Sequence, residues 1–292
     1  MEITSSDEYQ YLKGISEILS NGRITKNRTG VDTKTVYGLT MKYKLDDSFP
    51  LFTTKSMFWR GIVEELLWFI SGSTNTNILK NKGIHIWDEN GSLKYIKKRG
   101  FNDRKEGDLG PVYGFQWRHF GAKYIDMDTN YTNQGFDQLT HIINKIKNKP
   151  ESRNIILTAW NPIDVENMVI PPCHCFVQFH VINNKYLTCQ MYQRSADMGL
   201  GVPFNVASYS LLTYMIAHLT NLKPYEFIHN IGNAHIYVNH INGLKKQLER
   251  TPNPFPKLKI KRQVDNIDDF KFDDFELIDY NHLGKIKLDM VV

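Results

Sequence analysis

The stretch CFVQFHVINNKYLTCQMYQ, residues 175–193, carries the clearest secondary-structure signal in the chain. Residues 175–182 and 185–193 resemble a pair of β-strands, and the middle of each run, residues 177–181 and 187–191, alternates between apolar and polar side chains. Asn183 and Asn184 separate the two runs, and paired asparagines favour a tight hairpin turn. We therefore predict two strands that are joined at this turn.

Helices and strands alternate irregularly along the rest of the chain. A capping-box pattern from Ser5 to Glu8 predicts a first helix, which ends at Asn21. The remaining apolar patterns predict strands over residues 33–44 and 155–157 and helices over residues 57–70, 136–148, 206–219 and 237–249. Residues 88–110 are rich in Gly, Lys, Asn and Asp, so we predict a long surface loop there. This mixture favours an α+β fold over a doubly wound one.

Bulk composition excludes several classes of protein. The 292 residues show no repeat and no convincing linker, so we expect one domain over residues 1–292. The net charge of +5 suits anionic ligands but is too diffuse to indicate a nucleic-acid surface. Three cysteines without Cys-x-x-Cys spacing favour a reducing compartment. The N-terminus does not resemble a signal peptide, so we expect a soluble, cytoplasmic protein.

Pro171-Pro172-Cys173-His174 leads into the first strand of the predicted pair. A cysteine in such a place is most often a core residue, because free cysteine is among the most buried residue types. The same position can hold a nucleophile on a fixed backbone, provided that a cationic neighbour stabilises the thiolate. A metal site through Cys173 and Cys175 ranks last, because a second pair of ligands is missing.

The second strand runs into another candidate segment, Tyr192–Asp197, which is followed by Gly199–Asn205. Arg194 can stabilise a thiolate or bind a phosphate, and Ser195 can donate to the same phosphate. The glycines allow a ligand to approach closely. The alternative is a strand end followed by a flexible loop, with Asn205 as an ordinary helix cap.

Weaker signals come from single residues. Arg28 and Arg153 can each supply a guanidinium to a phosphate, although most loop arginines are simply solvated. Glu65 lies nearer to the apolar stripe of helix 57–70 than Glu64 does. It can therefore relay protons in a cleft, or it is a solvated residue at the border of the stripe.

His235-Ile236-Tyr237 is the last candidate segment. Alternation places His235 and Tyr237 on one side if the segment is extended. Together they can hold a sugar hydroxyl, or they form an interior polar pair that is satisfied by the backbone.

These segments together resemble the thymidylate synthases, from about Tyr9 to the last residue and in the expected order. The matching blocks are FPLFTTK (49–55), ELLWF (65–69), DLGPVYG (108–114), PCH (172–174), YQRS (192–195) and HIY (235–237). The loop 91–108 and the block GFQWRH (114–119) are similar to eukaryotic-type members.

The resemblance implies a methyltransferase that converts dUMP to dTMP. The co-substrate 5,10-methylenetetrahydrofolate gives both the carbon and the hydride and leaves as dihydrofolate. The implied fold is α+β with a large, mainly antiparallel or mixed sheet flanked by helices. Two such sheets pack back to back in a homodimer. The resemblance implies neither a metal nor a need for nucleic acid or membrane.

The resemblance also implies residue roles, with Cys173 attacking C6 of the uracil. Residues implied in catalysis are Cys173, Glu65, Arg194, Asn205, Tyr113, Asp197 and His174. Residues implied in dUMP binding are Arg28, Arg153 from the partner subunit, Asn154, Cys173, Gln193, Arg194, Ser195, Ala196, Asp197, Asn205, His235, Ile236 and Tyr237. Residues implied on the folate side are Ile86, Trp87, Asn90, Ile170, Asp197, Leu200, Gly201, Phe204, Met290 and Val291. The C-terminal residues 290–292 are expected to close over the folate.

The chain departs from the family pattern at three positions. Asn154 stands where the family has a second arginine, so one guanidinium of the phosphate site becomes an amide. A charge-assisted contact is worth roughly 1.5–3 kcal/mol, so weaker dUMP binding is expected rather than inactivity. Asn233 stands where Asp is common, and Ser56 stands where Arg is common.

The nearest competing interpretation is a deoxycytidylate hydroxymethylase. Asn205 argues against it, because an amide can donate to O4 of uracil and accept from N3–H. Cytosine reverses both edges, so a carboxylate would suit it better. A non-catalytic nucleic-acid-binding protein lacks a basic run with interleaved aromatics, and a structural metal protein lacks ligands.

Overall fold

The computed structural model describes residues 7–291, and this part of the chain contains eight α-helices and eight strands. The helices are α1 Glu8–Asn21, α2 Trp59–Ile70, α3 Asn77–Asn81, α4 Leu93–Lys98, α5 Tyr113–His119, α6 Gln138–Asn148, α7 Gly201–Leu219 and α8 Ile241–Leu248. The strands are β1 Arg23–Thr25, β2 Thr33–Lys44, β3 Ile156–Thr158, β4 His174–Ile182, β5 Tyr186–Asp197, β6 Lys223–Tyr237, β7 Lys257–Ile260 and β8 Phe275–Ile278. Short 3₁₀ turns cover Val165–Asn167, Val238–His240, Ile267–Asp269 and Phe272–Asp274.

Six strands form one mixed sheet in the order β1-β2-β6-β5-β4-β3. Neighbouring strands are antiparallel except β5 and β6, which run parallel. Strands β7 and β8 form a separate antiparallel pair. The predicted α+β class with a large mixed sheet is confirmed.

The predicted hairpin is present as β4 and β5. Asn183 and Asn184 have φ angles of 52° and 51°, the left-handed pair that a tight hairpin turn requires. The strand predicted over residues 33–44 coincides with β2, and the strand predicted at 155–157 is β3, displaced by one residue. These elements were predictable because local alternation matches their burial on one face of the sheet.

Helix α7 packs against β5 and β6 and forms the centre of the core. Side chains on all its sides are buried, as expected for a helix that is apolar around its whole circumference. It begins five residues earlier than predicted, at Gly201 rather than Val206. The Asp197 carboxylate accepts hydrogen bonds from the backbone N–H groups of Gly199 and Leu200, just before the helix. Asn205 therefore lies inside the helix and is not its cap.

The predicted surface loop at residues 88–110 is wrong in part. Helix α4 lies within it, and the Ser92 hydroxyl accepts the N–H of Tyr95 at 3.2 Å. Tyr95 and Ile96 are buried although lysines flank them on both sides, and Leu109 is fully buried. These buried residues were not predicted from the sequence, because the residues around them are mostly polar.

Helices α3 and α5 and the short strands β1, β7 and β8 were not predicted, and further differences concern helix ends and long-range pairing. Helix α8 begins at Ile241 rather than residue 237, because the preceding residues extend β6 and then form a 3₁₀ turn. Most of β6 was not predicted; it pairs with β2 over eleven positions from Thr33–Tyr237 to Lys44–Glu226, and distant partners leave no local signal. Within residues 7–291, no helix has the length and apolar character needed to cross a membrane.

Glu8 begins α1 with Asp7 at the N-cap, and Asp7 makes no side-chain cap bond. The Ser5 half of the predicted capping box lies outside the described residues. The Glu8 carboxylate is fully buried and accepts both the N–H and the hydroxyl of Thr53 and of Thr54. A buried carboxylate is tolerated when its lone pairs are satisfied in this way, and it ties α1 to the segment before α2.

Glu8→Ala is expected to lower the free energy of unfolding by about 3 kcal/mol, because it leaves two buried N–H groups and two hydroxyls without their acceptor. Urea denaturation at fixed protein concentration measures this change. Glu8→Gln keeps the shape and one oxygen, so it should cost less. Equal stability of the wild type and Glu8→Ala would contradict the proposed tie.

Candidate active site

Two adjoining cavities of about 360 and 660 Å³ collect most of the predicted site residues. The residues that line both are Asn90, Ile170, Cys173, Ser195, Asp197 and Met290. The smaller cavity, named the base cavity after the ligand group that is expected there from the sequence, is also lined by Glu65, Ile86, Trp87, Tyr113, His174, Gln193, Leu200, Gly201, Phe204 and Asn205. The larger one, named the phosphate cavity for the same reason, is also lined by Arg28, Arg194, His235, Tyr237 and Val291.

Cys173 lies where the two cavities meet, on a backbone held by Arg194. The Arg194 guanidinium donates to the carbonyls of Pro171 and Pro172, each at 2.8 Å, and its Nη2 lies 4.0 Å from Cys173 Sγ. The Arg194 backbone N–H also donates to the Cys173 carbonyl at 2.8 Å. Burial nevertheless raises the pKa of Cys173, and the charges of Arg194 and Arg28 offset only part of that rise.

The other two cysteines line neither cavity. All three cysteines are free, and Cys175 and Cys189 are buried. Burial raises the pKa of Cys189 to about 12, so its thiol is inert at neutral pH. Cys175 Sγ lies 3.3 Å from the Pro172 carbonyl oxygen. Within the described residues, no three His, Cys, Asp or Glu side chains are grouped as ligands for a metal.

Tyr113 and His174 form a stacked wall of the base cavity, with ring centroids 4.3 Å apart. The Tyr113 hydroxyl oxygen accepts the Cys173 N–H at 2.9 Å. Gly114 makes this placement possible, because a Cβ there would lie 2.4 Å from the Phe69 carbonyl oxygen. Burial lowers the pKa of His174 to about 3, so the imidazole is neutral.

Glu65 faces the base cavity from α2, which agrees with the cleft alternative and not with a solvated residue at the border of the stripe. Its carboxylate accepts the indole N–H of Trp87 at 2.7 Å. Burial raises the pKa of Glu65 to about 7, although that hydrogen bond acts in the opposite direction. Glu64 is also buried but pairs with Lys82 at 2.7 Å, away from the cavity.

A chain of hydrogen bonds orients the Asn205 amide. Burial lowers the pKa of His229 to about 3, so this histidine is neutral, and its Nε2 lies 2.9 Å from Gln193 Oε1. Gln193 Nε2 donates to the Ser195 carbonyl and to Asn205 Oδ1, both at 3.0 Å. Asn205 Nδ2 is therefore left to donate into the base cavity, and Oδ1 keeps a second lone pair.

Asp197 links the base cavity to the C-terminal segment through His240. Its carboxylate lies 3.7 Å from His240 Nδ1, and His240 Nε2 donates to the Asp289 carbonyl at 2.6 Å. Although burial acts to raise the pKa of Asp197, His240 holds it below its ordinary value. Gly199 leaves the room for this contact, since a Cβ there would lie 2.7 Å from His240 Nδ1.

In the phosphate cavity, β6 stays extended through its last residues. His235 and Tyr237 therefore line the same side, as the alternation predicted. His235 Nδ1 lies 2.9 Å from Asn233 Oδ1, so the amide at this departure position serves as its hydrogen-bond partner. Arg28 Nη1 donates to the Tyr95 hydroxyl at 2.9 Å.

Four of the predicted site residues line neither cavity, and neither does Ser56. Arg153 and Asn154 are exposed at the start of β3, where Ser152 donates to the Asn154 side chain. The side chains of Ala196 and Ile236 are buried in the core.

Four residues at or near the two cavities were not predicted from the sequence: Tyr95, Arg99, Lys26 and His240. Lys26 and Arg99 line the phosphate cavity, and Tyr95 contacts Arg28. Tyr95 and Arg99 are four residues apart, which is the spacing of one helical face, but they stand in a stretch interpreted as a loop. His240 lies on a turn whose partner is 49 residues away, so no local pattern marks it.

Comparisons with known proteins identify the family of the chain. The family model described as thymidylate synthase matches residues 9–292. The chain is 58% identical to "Thymidylate synthase" of Homo sapiens, over 98% of this chain and 91% of that protein. It is 56% identical to "Thymidylate synthase" of Equine herpesvirus 2, over 98% of each.

A longer relative, "Bifunctional dihydrofolate reductase-thymidylate synthase 2" of Arabidopsis thaliana, is 59% identical over 98% of this chain. The chain spans about half the length of that protein, 50%. The predicted methyltransferase agrees with the names of these relatives. From the family match over nearly the whole length and the identities above 55%, the chain belongs to the thymidylate synthase family.

Proposed function

We propose that this protein methylates dUMP to dTMP, with 5,10-methylenetetrahydrofolate as the donor, through a covalent bond between Cys173 Sγ and C6 of the uracil. The observation that carries the proposal is the position of Cys173 between two cavities of different chemistry. One is largely apolar and contains the Asn205 amide, and the other contains the guanidiniums of Arg28 and Arg194. A pyrimidine nucleotide has this same division between base and phosphate.

The base is recognised by Asn205. Its free Nδ2 donates to O4 of the uracil, and Oδ1 accepts from N3–H. The hydrogen-bond chain from His229 through Gln193 holds the amide in this orientation before the substrate binds. Preorganised donors of this kind stabilise charge that develops on O4 without reorganising during the reaction.

Nucleophilic attack starts from a thiol, because burial keeps the pKa of Cys173 raised. When the proton leaves, Arg194 lies 4.0 Å away and stabilises the thiolate. Addition of the sulfur at C6 moves the electron pair of the C5–C6 bond towards C5 and O4, so C5 becomes the nucleophile. After C5 has bonded to the one-carbon unit, a general base takes the C5 proton, and the electron pair that is left breaks the bond between that carbon and the folate nitrogen. When the hydride from the folate completes the methyl group, the C5–C6 double bond forms again and the sulfur leaves C6.

Glu65 serves the proton transfers at O4 and C5, with Tyr113 beside it. A carboxyl with a pKa of about 7 is present in both protonation states at neutral pH, which suits a proton relay. Trp87 fixes the orientation of the carboxyl by its hydrogen bond. Tyr113 acts on the nucleophile as well, because its hydroxyl accepts the Cys173 N–H.

The walls of the base cavity fit a flat, partly apolar group such as the pteridine of a folate. Its apolar lining comes from Ile86, Trp87, Ile170, Leu200, Phe204 and Met290, and Asp197 supplies a carboxylate for ring N–H groups. When bound, the folate supplies the one-carbon unit and the hydride. The chain positions it, and the C-terminal segment, held by His240 at Asp289, excludes water from the cavity.

We also propose a homodimer in which the sheets pack back to back and Arg153 enters the partner's phosphate cavity. Phe176 and Tyr192 are opposite each other in the sheet register and are 40% and 47% exposed, and Tyr37 is 70% exposed. Exposed aromatic side chains on a sheet are typical of an interface. Arg153 is exposed and lines neither cavity of its own chain, which fits a role across such an interface.

The proposed dimer consists of one catalytic domain per chain over residues 1–292. It acts in the cytoplasm, where its three free cysteines stay reduced.

The covalent step predicts a trapped complex with 5-fluoro-dUMP and methylenetetrahydrofolate. The general base of the enzyme cannot remove fluorine from C5 as it removes a proton, so the adduct persists. Intact-mass and peptide mass spectrometry should locate it on Cys173. Cys173→Ala is the control and should form none. An adduct on Cys175 or Cys189, or no adduct with folded wild type, would overturn the proposal.

Asn205→Asp should shift the preference from dUMP towards dCMP, because a carboxylate accepts from the exocyclic amine of cytosine and cannot donate to O4. The ratio of kcat/KM for the two nucleotides measures the shift, and Gln193 still donates to the new side chain. An unchanged ratio would remove Asn205 from base recognition. A wild-type protein that already prefers dCMP would favour the deoxycytidylate hydroxymethylase.

Glu65→Gln should lower kcat by on the order of 10²-fold or more, the usual contribution of a positioned proton-transfer group. It should also stabilise the fold above neutral pH. In the folded protein the pKa of Glu65 is about 7, whereas in the unfolded chain Glu65 has the lower, ordinary pKa of a glutamate. Between these two pKa values the folded state binds the proton and the unfolded state does not, so the free energy of unfolding of the wild type falls as the pH rises. Above that window the variant should exceed the wild type by up to about 3 kcal/mol.

Urea denaturation at pH 5 and pH 8 measures this difference for the wild type and Glu65→Gln. The stabilisation should be small at pH 5 and full at pH 8. Glu64→Gln is the matched control, because Glu64 is paired with Lys82 and lies outside the cavity. An active Glu65→Gln enzyme would exclude Glu65 as the proton relay.

A further inference from the structure

Arg99, at the C-terminal end of α4, lines the phosphate cavity together with Lys26, Arg28 and Arg194. Arg99 lies outside all the blocks that match the thymidylate synthases. The stretch around it is the one whose composition predicted a surface loop. Arg99 reaches the cavity because of helix α4, which was not predicted from the sequence.

The geometry of α4 directs Arg99 into the cavity. Tyr95 and Arg99 are four residues apart and therefore share one face. Tyr95 accepts a hydrogen bond from Arg28 on that face, and Arg99 Nε donates to the Val169 carbonyl at 2.9 Å. Among the described residues, the two Nη groups of Arg99 have no hydrogen-bond partner, so they remain available to a ligand.

The other guanidiniums of the cavity are already partly committed. Arg194 gives two of its donors to the carbonyls of Pro171 and Pro172, and Arg28 gives one to Tyr95. A nucleotide phosphate carries close to two negative charges at neutral pH and accepts several charge-assisted hydrogen bonds. Asn154, where the family has an arginine, supplies no charge.

We propose that Arg99 binds the 5′-phosphate of the nucleotide and replaces the guanidinium that is missing at position 154. This inference rests on the proposed function and names a further binding residue for it. The Arg99 guanidinium reaches the phosphate from the C-terminal end of α4 in the same chain, whereas position 154 lies just before β3. The weaker dUMP binding expected from Asn154 alone is then offset.

The test compares dUMP with deoxyuridine, which lacks the phosphate, in binding titrations without folate. Arg99→Gln removes the charge and keeps a donor for the Val169 carbonyl, so the local backbone stays anchored. It should raise the Kd for dUMP by about 10- to 100-fold and leave the Kd for deoxyuridine unchanged. Lys98→Ala, which removes a neighbouring exposed cation outside the cavity, is the matched control and should change neither.

A second variant makes the result independent of local folding. Asn154→Arg should lower the Kd for dUMP more in the Arg99→Gln background than in the wild type, because both residues serve one phosphate. An equal loss of dUMP and deoxyuridine binding in Arg99→Gln would overturn the inference and leave Arg99 as an anchor for Val169. Unchanged dUMP binding would also overturn it.

The proposed function is tested separately by the 5-fluoro-dUMP adduct on wild-type Cys173. A wild type that forms the adduct, with an Arg99→Gln variant that binds both ligands as the wild type does, rejects only the role of Arg99. A wild type that forms no adduct rejects the proposed chemistry.

Discussion

The parallel pairing of β5 with β6 is the constraint on which the site depends. In this register Ser195 lies beside Asn233 and Asp197 lies beside His235, so the ends of both strands meet at one place. Parallel neighbours need a long connection, and α7 provides it while filling the core behind them. The hairpin of β4 and β5 then brings Cys173 next to Arg194.

Burial divides the site into two electrostatic environments. On the base side, low polarity shifts the pKa values of Glu65, Cys173 and His174 towards their neutral forms. On the phosphate side, Arg99 and Arg194 donate to backbone carbonyls and Arg28 donates to the Tyr95 hydroxyl. In the proposed function, a nucleotide that binds across this boundary brings its charge to the cations and its base to the neutral groups, with C6 near the sulfur.

The sequence predicted elements whose signal is local. Alternation indicated β2 and the β4–β5 hairpin because each of them buries one face. The helical spacing of α2 placed Glu65 near the apolar stripe, but it did not predict that Glu64 is buried as well. The long strand β6 was not predicted, because its partner strands are far away in the chain. Helix α4 was not predicted, because lysines surround its two buried residues.

By itself, the sequence determined the family, the α+β class and the residue types of the site. Ordered blocks such as those around Cys173 and Arg194 are specific to the family. Only the tertiary structure decided which charges act together. The raised pKa of Cys173, the orientation of Asn205 through His229, and the entry of Arg99 into the phosphate cavity each depend on burial or on contacts between distant segments. The sequence pattern identifies residue types and their spacing. Desolvation of a side chain, and contacts between side chains from distant segments, exist only after the chain has folded.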